Sequence, residues 1–326
     1  MKLKKDNIIL GIDTSCYTTS IAAISLNKQI VLNEKIMLKV DKGSKGLRQS
    51  EGVFQHISNL GKISENIEGK LKDYNIVGVC ASSKPRPVEG SYMPVFTVGL
   101  NTAKFISSIN NCPFFETTHQ ENHIKASLYE QGLADENRFI AVHMSGGTME
   151  IVLVNRDDDL KYDFEIIGGT KDVSFGQLID RLGVKLSYDF PSGKYIDKNA
   201  CEFDGKIKEG LKTSVKEGFM NLSGIENQLN KIIDNEENVD EKYLSKLLMD
   251  TITRCIVKAL DYLCKKYEIN EVLFVGGVSA SKYLSKNVKD KLVKSKIKAY
   301  FPEAFLATDN AVGCALIGFE NLNLGE

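Results

Sequence analysis

Three absences narrow this sequence before any motif is read. There is no excess of charge of either sign: 42 basic residues face 43 acidic ones, a formal net charge of -1. That excludes a chain-wide basic footprint for nucleic acid and confines any RNA contact to a local patch. There is no CxxC pair among the seven cysteines, at 16, 80, 112, 201, 255, 264 and 314. An odd, scattered set, partly inside apolar runs such as "NIVGVCASS" and "AVGCALIG", excludes a zinc ribbon or a disulfide framework and reads as reduced, mostly buried thiols of a cytoplasmic protein. There is no apolar run near the ~20 residues of a membrane span. The opening "MKLKKDNIILGID" has a basic start followed by an apolar run too short for a signal peptide, so a soluble protein without a membrane contact is expected. Low-complexity tracts are absent as well.

What is present is a chain of 326 residues, 42% of them hydrophobic, enough for a substantial core and for two domains flanking a cleft. "NIILGID", "SIAAISL" and "QIVLNEKIML" are short, β-branched runs that read as an antiparallel meander with a tight turn after Asp13. Val53, His56, Ile57, Leu60, Ile63, Ile67 and Leu71 then recur at helical steps behind a "KGSKG" loop, and "NIVGVC" reads as a buried strand. After the charged, loop-like "LADENR", the pattern restarts with "RFIAVHMSGG", "TMEIVLVN" and "KYDFEIIGG", which suggests two related lobes. Leu244 to Leu263 carry a long helical stripe that leads into the strand "EVLFVGGVSAS". The polar interval of about 190–240 is expected to hold helices with mobile connections.

Three strand ends meet small residues: "GIDTSC" at 11–16, "HMSGGTM" at 143–149 and "FVGGVSAS" at 274–281. Glycine there lets backbone amides approach an anion, and a nucleotide is the economical ligand. Each turn taken alone reads more readily as a hairpin that needs positive φ, and it is the three together that point to a nucleotide. "HQENH" places His119 and His123, two of the four histidines, at i, i+4. On a helix they share one face and could share a metal ion, or simply be solvated. Asp309, in "FLATDNAVGCALIGFE", is a third ligand or the N-cap of the following helix. His143 reads as a strand residue and His56 as a structural one.

Together these segments resemble the TsaD family of tRNA threonylcarbamoyl transferases, long labelled glycoproteases. "GIDTSC" is similar to the family's opening turn, "HQENH" to its HxxxH pair, "SGG" to its second glycine turn, and "FGQLIDRLGVKLSYDFPSG" to its AGEAFDK...YPGG stretch. "VGGVSAS" matches its GGVAAN and "ATDNA" its CTDNA. The resemblance implies an α/β, two-lobed actin/sugar-kinase/Hsp70-like (ASKHA) fold of duplicated RNase H-like domains. It places the N-terminal lobe at 1–130, with 309–326 returning to it, and the C-terminal lobe at 131–308. It further implies one divalent ion (Fe, Zn or Mg) on His119, His123 and Asp309, and an adenylate between the lobes. Ser145, Gly146, Gly147, Gly276 and Gly277 would lie near the phosphate, and Asp180 and Gly193 near the ribose. The implied partners are tRNA and a TsaB-like paralogue or a second copy of the chain. Several family positions differ. An Asp-Glu pair is Tyr17 and Thr18, a histidine is Thr148, a glutamate is Gln177, an asparagine is Ser281, and the GPGL loop is a proline-bearing segment at 83–99. No catalytic acid or base is assigned. Peptidase chemistry is not expected, because Glu121 does not occupy the HExxH position.

Overall fold

The computed structural model describes residues 5–15, 17–40, 47–87, 89–129, 131, 133, 137–157, 162–235 and 240–324. Cys16, the KGSKG loop and residues 134–136 of the LADENR segment lie outside the described residues. By its backbone contacts the chain divides into two compact units, 1–129 with 308–326, and 130–307.

The first unit opens with β1 (Asp6–Thr14), β2 (Thr18–Ser25) and β3 (Ile30–Met37), an antiparallel meander as the alternating runs suggest. Helix α1 (Gln49–Ile67), β4 (Tyr74–Lys84), α2 (Phe96–Asn110), β5 (Phe114–Thr118) and α3 (His119–Leu128) follow. The sheet order is β3-β2-β1-β4-β5, with β4 and β5 parallel to β1. The last seven residues of β1 are all buried, as a strand covered on both faces must be. Helix α2 covers one part of it, where Gly99 donates its N–H to the Thr14 hydroxyl at 2.9 Å. The C-terminal helix (Val312–Leu324) also packs on β1. In α1 the buried positions are Gly52, His56, Asn59 and Ile63, and His56 Nδ1 meets the Thr19 hydroxyl at 2.8 Å. The helix stops at Ile67, short of Leu71.

The second unit repeats the plan. Strands β6 (Arg138–Met144), β7 (Met149–Arg156) and β8 (Tyr162–Thr170) form the second meander, followed by α4 (Phe175–Lys185) and α5 (Gly193–Glu202). Then come β9 (Ser214–Lys216), β10 (Phe219–Asn221), α6 (Ser223–Asn235) and the 27-residue α7 (Glu241–Tyr267). The unit closes with β11 (Glu271–Val275), a 3-10 turn at Gly277–Ala280, α8 (Lys282–Leu292), a second 3-10 turn at Val293–Ser295, β12 (Lys298–Tyr300) and α9 (Ala304–Ala307). That makes the C-terminal helix α10. The sheet order β12-β11-β6-β7-β8-β10-β9 contains the first sheet's order, with β11 and β12 parallel to β6. Strands β9 and β10 are additions at the far edge, inside the interval where only helices are expected from the sequence. Three-residue strands are too short to show a period of two. Helix α7 starts at Asp240, whose carboxylate accepts the N–H groups of Lys242 and Tyr243, and its apolar stripe forms the centre of this unit's core. The described cysteines are unpaired with one another: Cys80, Cys255, Cys264 and Cys314 are buried, Cys112 is half-buried and Cys201 exposed. Among the described residues, no helix is long and apolar enough to cross a membrane.

Candidate metal centre and glycine turns

Helix α3 begins at its first histidine. Thr118 caps it: its hydroxyl accepts the Glu121 N–H, and the Glu121 carboxylate accepts the Thr118 N–H at 2.8 Å. This reciprocal capping box fixes the first turn. It also occupies Glu121, which takes the Thr117 hydroxyl at 2.9 Å as well, so that carboxylate is not placed to activate water. The helix is enclosed on most sides, with Gln120, Asn122, His123 and every residue from Ile124 to Leu128 buried. A solvated pair of histidines on a wet helix is therefore not what the fold contains.

Asp309 reaches the histidines because α10 is pressed against β1 and α3. A Cβ at Gly11 would lie 2.3 Å from the Ala311 carbonyl oxygen, and one at Gly313 would lie 1.9 Å from the Asn122 carbonyl oxygen. Only glycine permits both approaches. Asn122 joins the elements further, donating to the Asn310 carbonyl at 2.6 Å and accepting the Cys314 N–H at 2.8 Å. The side chain that supports the entry to α10 is Asn310, which accepts the Val312 N–H at 2.9 Å. Asp309 is thus not engaged as that helix's cap.

The geometry of the corner is compact. His119 Nε2 and His123 Nε2 are 3.1 Å apart, and Asp309 Oδ1 lies 3.2 Å from His123 Nε2 and 3.9 Å from His119 Nε2. One ligand atom from each residue falls within 4.8 Å of the others, close enough for a single ion ~2.0–2.2 Å from every donor. Two imidazoles and a carboxylate leave coordination positions open, the donor set of a reactive rather than a closed structural site. The residues present therefore fit a divalent metal.

Asp13 completes the corner, and its role is not visible in the sequence. It is fully buried at the end of β1, accepts the Ser82 hydroxyl, and meets His119 Nδ1 at 3.0 Å. That contact assigns the proton of a neutral His119 to Nδ1 and leaves the Nε2 lone pair for the ion, the usual carboxylate–histidine–metal arrangement. Burial opposes charge on His119, but Asp13 and Asp309 outweigh it and push its pKa up to about 9. Burial alone would raise Asp309; the hydrogen bond from His123, the His119 charge and the Thr18 hydroxyl hold it well below the usual carboxylate range instead. Lys35 on β3 donates to the Thr308 hydroxyl at 2.7 Å and approaches the Asp309 carbonyl at 3.4 Å. Burial pulls its pKa down against the attraction of Asp309. Of the two positions where the resembled family carries carboxylates, Thr18 is buried and bonded to Asp309, and Tyr17 is 42% exposed.

The second unit gathers its glycine turns from three elements. Ser145, Gly146, Gly147 and Thr148 link β6 to β7, closed by the Ser145 N–H on the Thr148 carbonyl at 2.8 Å. Gly276, at φ +90°, follows β11; a Cβ there would stand 2.5 Å from the Met144 carbonyl. The start of α4 packs on the same turn: a Cβ at Gly176 would lie 2.5 Å from the Ser145 carbonyl, and the Ser174 hydroxyl donates to the Gly146 carbonyl at 2.8 Å. Ser145, Gly146 and Gly276 are thus brought together, and at Gly146, Gly147 and Gly277 an added Cβ meets nothing within 4 Å. Glycine turns with open space beside them let an anion approach the backbone closely.

Asp180 and Gly193 form a second group. Asp180 Oδ1 accepts the Ser192 N–H at 2.7 Å, and Gly193 lies beside Ile179. Burial raises the Asp180 pKa against that hydrogen bond. Gln177 and Ser281, which replace family recognition residues, act here as helix caps. Gln177 accepts the Ser174 N–H at 3.0 Å, and Ser281 accepts the Leu284 N–H at 3.0 Å while donating to Asp197. His143 stands in β6 opposite Glu150 and Val275.

Comparison with known proteins gives this arrangement a lineage. The family model of TsaD, tRNA N6-adenosine threonylcarbamoyltransferase, matches residues 55–316. The tRNA N6-adenosine threonylcarbamoyltransferase of Thermotoga neapolitana is 26% identical over 97% of this chain and 95% of its own length. Among solved structures, HypF of T. kodakarensis superposes with a TM-score of 0.62 at 12% identity; the match covers 99% of this chain and 48% of HypF. The activator of 2-hydroxyisocaproyl-CoA dehydratase from Clostridium difficile, solved with bound ADPNP, gives 0.53 at 12% identity and covers 98% of this chain and 96% of that one. At such identities the structures speak for the fold alone, an α/β fold of the ASKHA class with two mixed sheets. With the family model spanning most of its length, including the histidine pair and Asp309, the chain belongs to the TsaD family.

Proposed function

We propose that the chain is a tRNA-modifying transferase that moves a threonylcarbamoyl or related carbamoyl-type group from an adenylate to the N6 amine of an adenosine in tRNA. The observation that carries this reading is the convergence of His119, His123 and Asp309 on one ion-sized point, backed by Asp13, in a chain of a family described by that transfer. A divalent Fe, Zn or Mg bound there would polarise the carbamoyl–phosphate anhydride and stabilise the charge that develops on it.

The chain's own residues supply the rest. Asp13 keeps the His119 ring oriented. Gly146, Gly147, Gly276 and Gly277 would offer N–H groups and room to the phosphate, with the Ser145 side chain beside them, and Asp180 with Gly193 would hold the ribose. The adenosine amine is the nucleophile: its nitrogen bonds to the carbamoyl carbon as the carbamoyl–phosphate bond breaks, AMP leaves and the amine gives up a proton, so no covalent enzyme intermediate is required. As macromolecular partners the reading brings tRNA together with either a TsaB-like paralogue or a second copy of the chain.

One observation favours a second reading. Tyr17 and Thr18 bring hydroxyls, not carboxylates, and Thr18 is already bonded to Asp309. A neutral hydroxyl does not take a proton from an amine near neutral pH. The alternative is a diverged paralogue that binds nucleotide and metal to regulate or accompany a competent relative. The experiment that separates them supplies the full chain with metal, threonylcarbamoyl-adenylate, an unmodified tRNA transcript and the partner proteins of a related system, and reads modified adenosine by mass spectrometry. Transfer that disappears with His123→Ala supports the first reading; tight adenylate binding without transfer supports the second.

A further inference from the structure

The α8 region carries a concentration of charge that the proposed chemistry does not use. Residues 282–298 contain Lys282, Lys286, Lys289, Lys291, Lys294, Lys296 and Lys298 against the single acid Asp290, in a chain whose net charge is only -1. All seven lysines are exposed, and among the described residues only Lys298 makes an ion pair, with Glu271 at 2.7 Å. The acids packed against α8 are engaged elsewhere. Asp197 accepts the Ser281 hydroxyl and the Tyr283 N–H, and Asp250 accepts the Tyr283 hydroxyl at 2.6 Å. Beside the lysines a cavity of about 220 Å³ is walled in part by Lys291, Thr251, Arg254 and Asp250, whose carboxylate is paired with Lys246 at 3.8 Å. The guanidinium of Arg254 is fixed there by the Leu211 carbonyl at 2.7 Å and the Thr251 hydroxyl at 3.1 Å.

We propose that the lysine face of α8, the turn after it and β12, with the Arg254 cavity at its margin, is a docking surface for the phosphate backbone of the tRNA substrate. The proposal rests on the tRNA reading above and adds where the RNA is held. The chemistry favours RNA over other polyanions. An anionic lipid surface selects a helix with several exposed apolar residues beside its cations, and Val293 is the one large hydrophobic exposed in this stretch. An acidic protein partner would be anchored by aromatic or aliphatic hot spots, yet Tyr283 is buried. Distributed lysines without such anchors suit phosphates spaced along a backbone, giving salt-dependent contact that is indifferent to sequence.

The test measures anisotropy of a labelled, unmodified tRNA transcript with the full chain between 50 and 200 mM salt. For Lys286→Gln/Lys291→Gln/Lys294→Gln we expect affinity at low salt to fall at least ~10-fold and the slope of log K against log salt to shrink by ~2–3. The control Lys5→Gln/Lys62→Gln/Lys72→Gln should match the wild type. Equal losses in the two triples, no change in either, or no tRNA binding by the wild type would each overturn the proposal. So would polyglutamate or phosphatidylserine vesicles bound as tightly as tRNA and weakened equally by the α8 triple. Should that triple melt at a lower temperature than the wild type, acetylation footprinting of the wild type decides: Lys286, Lys291 and Lys294 protected by tRNA support the surface, and unprotected lysines refute it. Failure of the transferase reading looks different, with tRNA bound but no transfer from the adenylate.

Discussion

The metal corner of the first unit and the glycine turns of the second are built by opposite means. At the corner, the proposed metal site depends on side chains, each locked by another: His119 by Asp13, Asp13 by Ser82, and the α10 entry by Asn122. At the turns, the proposed anion contact would depend on backbone, and at Gly146, Gly147 and Gly277 an added Cβ would enter open space. The corner should therefore respond steeply to small chemical changes. The turns should respond to added bulk, and mainly in ligand binding.

The largest expected effect lies beside the corner. Tyr17→Asp/Thr18→Glu restores the two carboxylates of the related family and should raise the transfer rate by ~10²–10⁴, the usual value of a general base; single-turnover kinetics with the adenylate read it. No gain would mean that positions 17 and 18 do not limit the reaction, and would turn attention to the segment at 83–99. Next come the ligands. Removing His123 or Asp309 should weaken metal binding by more than the ~10–100-fold that loss of an outer partner costs, measured by calorimetric titration, while leaving nucleotide binding by the second unit intact.

The glycines sharpen the contrast. Gly313→Ala puts a Cβ 1.9 Å from the Asn122 carbonyl and should destabilise the fold by ~1–3 kcal/mol or more, moving Asp309 away from the histidines. Gly147→Ala enters open space and should change stability by less than ~0.5 kcal/mol while lowering adenylate affinity. Thermal melts of the two variants check the first half of this comparison and nucleotide titration the second. Equal destabilisation would break the distinction between packed and open glycines.

The two regions also differ in how far the sequence discloses them. The histidine pair is legible because i, i+4 spacing on a helix is a local rule, and Asp309 because its segment matches a family pattern. Asp13 is not legible as a partner of His119: the two are 106 residues apart, and nothing local distinguishes a carboxylate that orients a ligand from one that ends a strand. Gly11 and Gly313 are hidden for a similar reason. Their task is close approach between elements, whereas sequence reasoning reads a glycine as a turn. The repeated meander is legible through its two runs of alternating residues. The strands β9 and β10 leave no periodic trace, and Gln177 and Ser281 do not announce that they cap helices.

The smallest effect is one of pH. With His119 raised to about 9 in the metal-free fold, against ~6.5 in an unfolded chain, its pairing with Asp13 and Asp309 contributes stability fully present below about pH 6.5. That contribution is lost as pH rises through about 9. Metal-free protein should therefore melt at a lower temperature at pH 9.5 than at pH 6.5, by a margin that His119→Gln reduces. Metal uptake near pH 7.5 should release a proton, seen as a buffer-dependent heat of binding.

The measurement that bears most directly on the account is metal binding by the full chain, by titration and by elemental analysis of the dialysed protein. A single ion per chain is expected in the wild type, binding ~10–100-fold weaker in Asp13→Asn, and none in His119→Ala/His123→Ala. An ion retained at undiminished affinity by the double variant would contradict it.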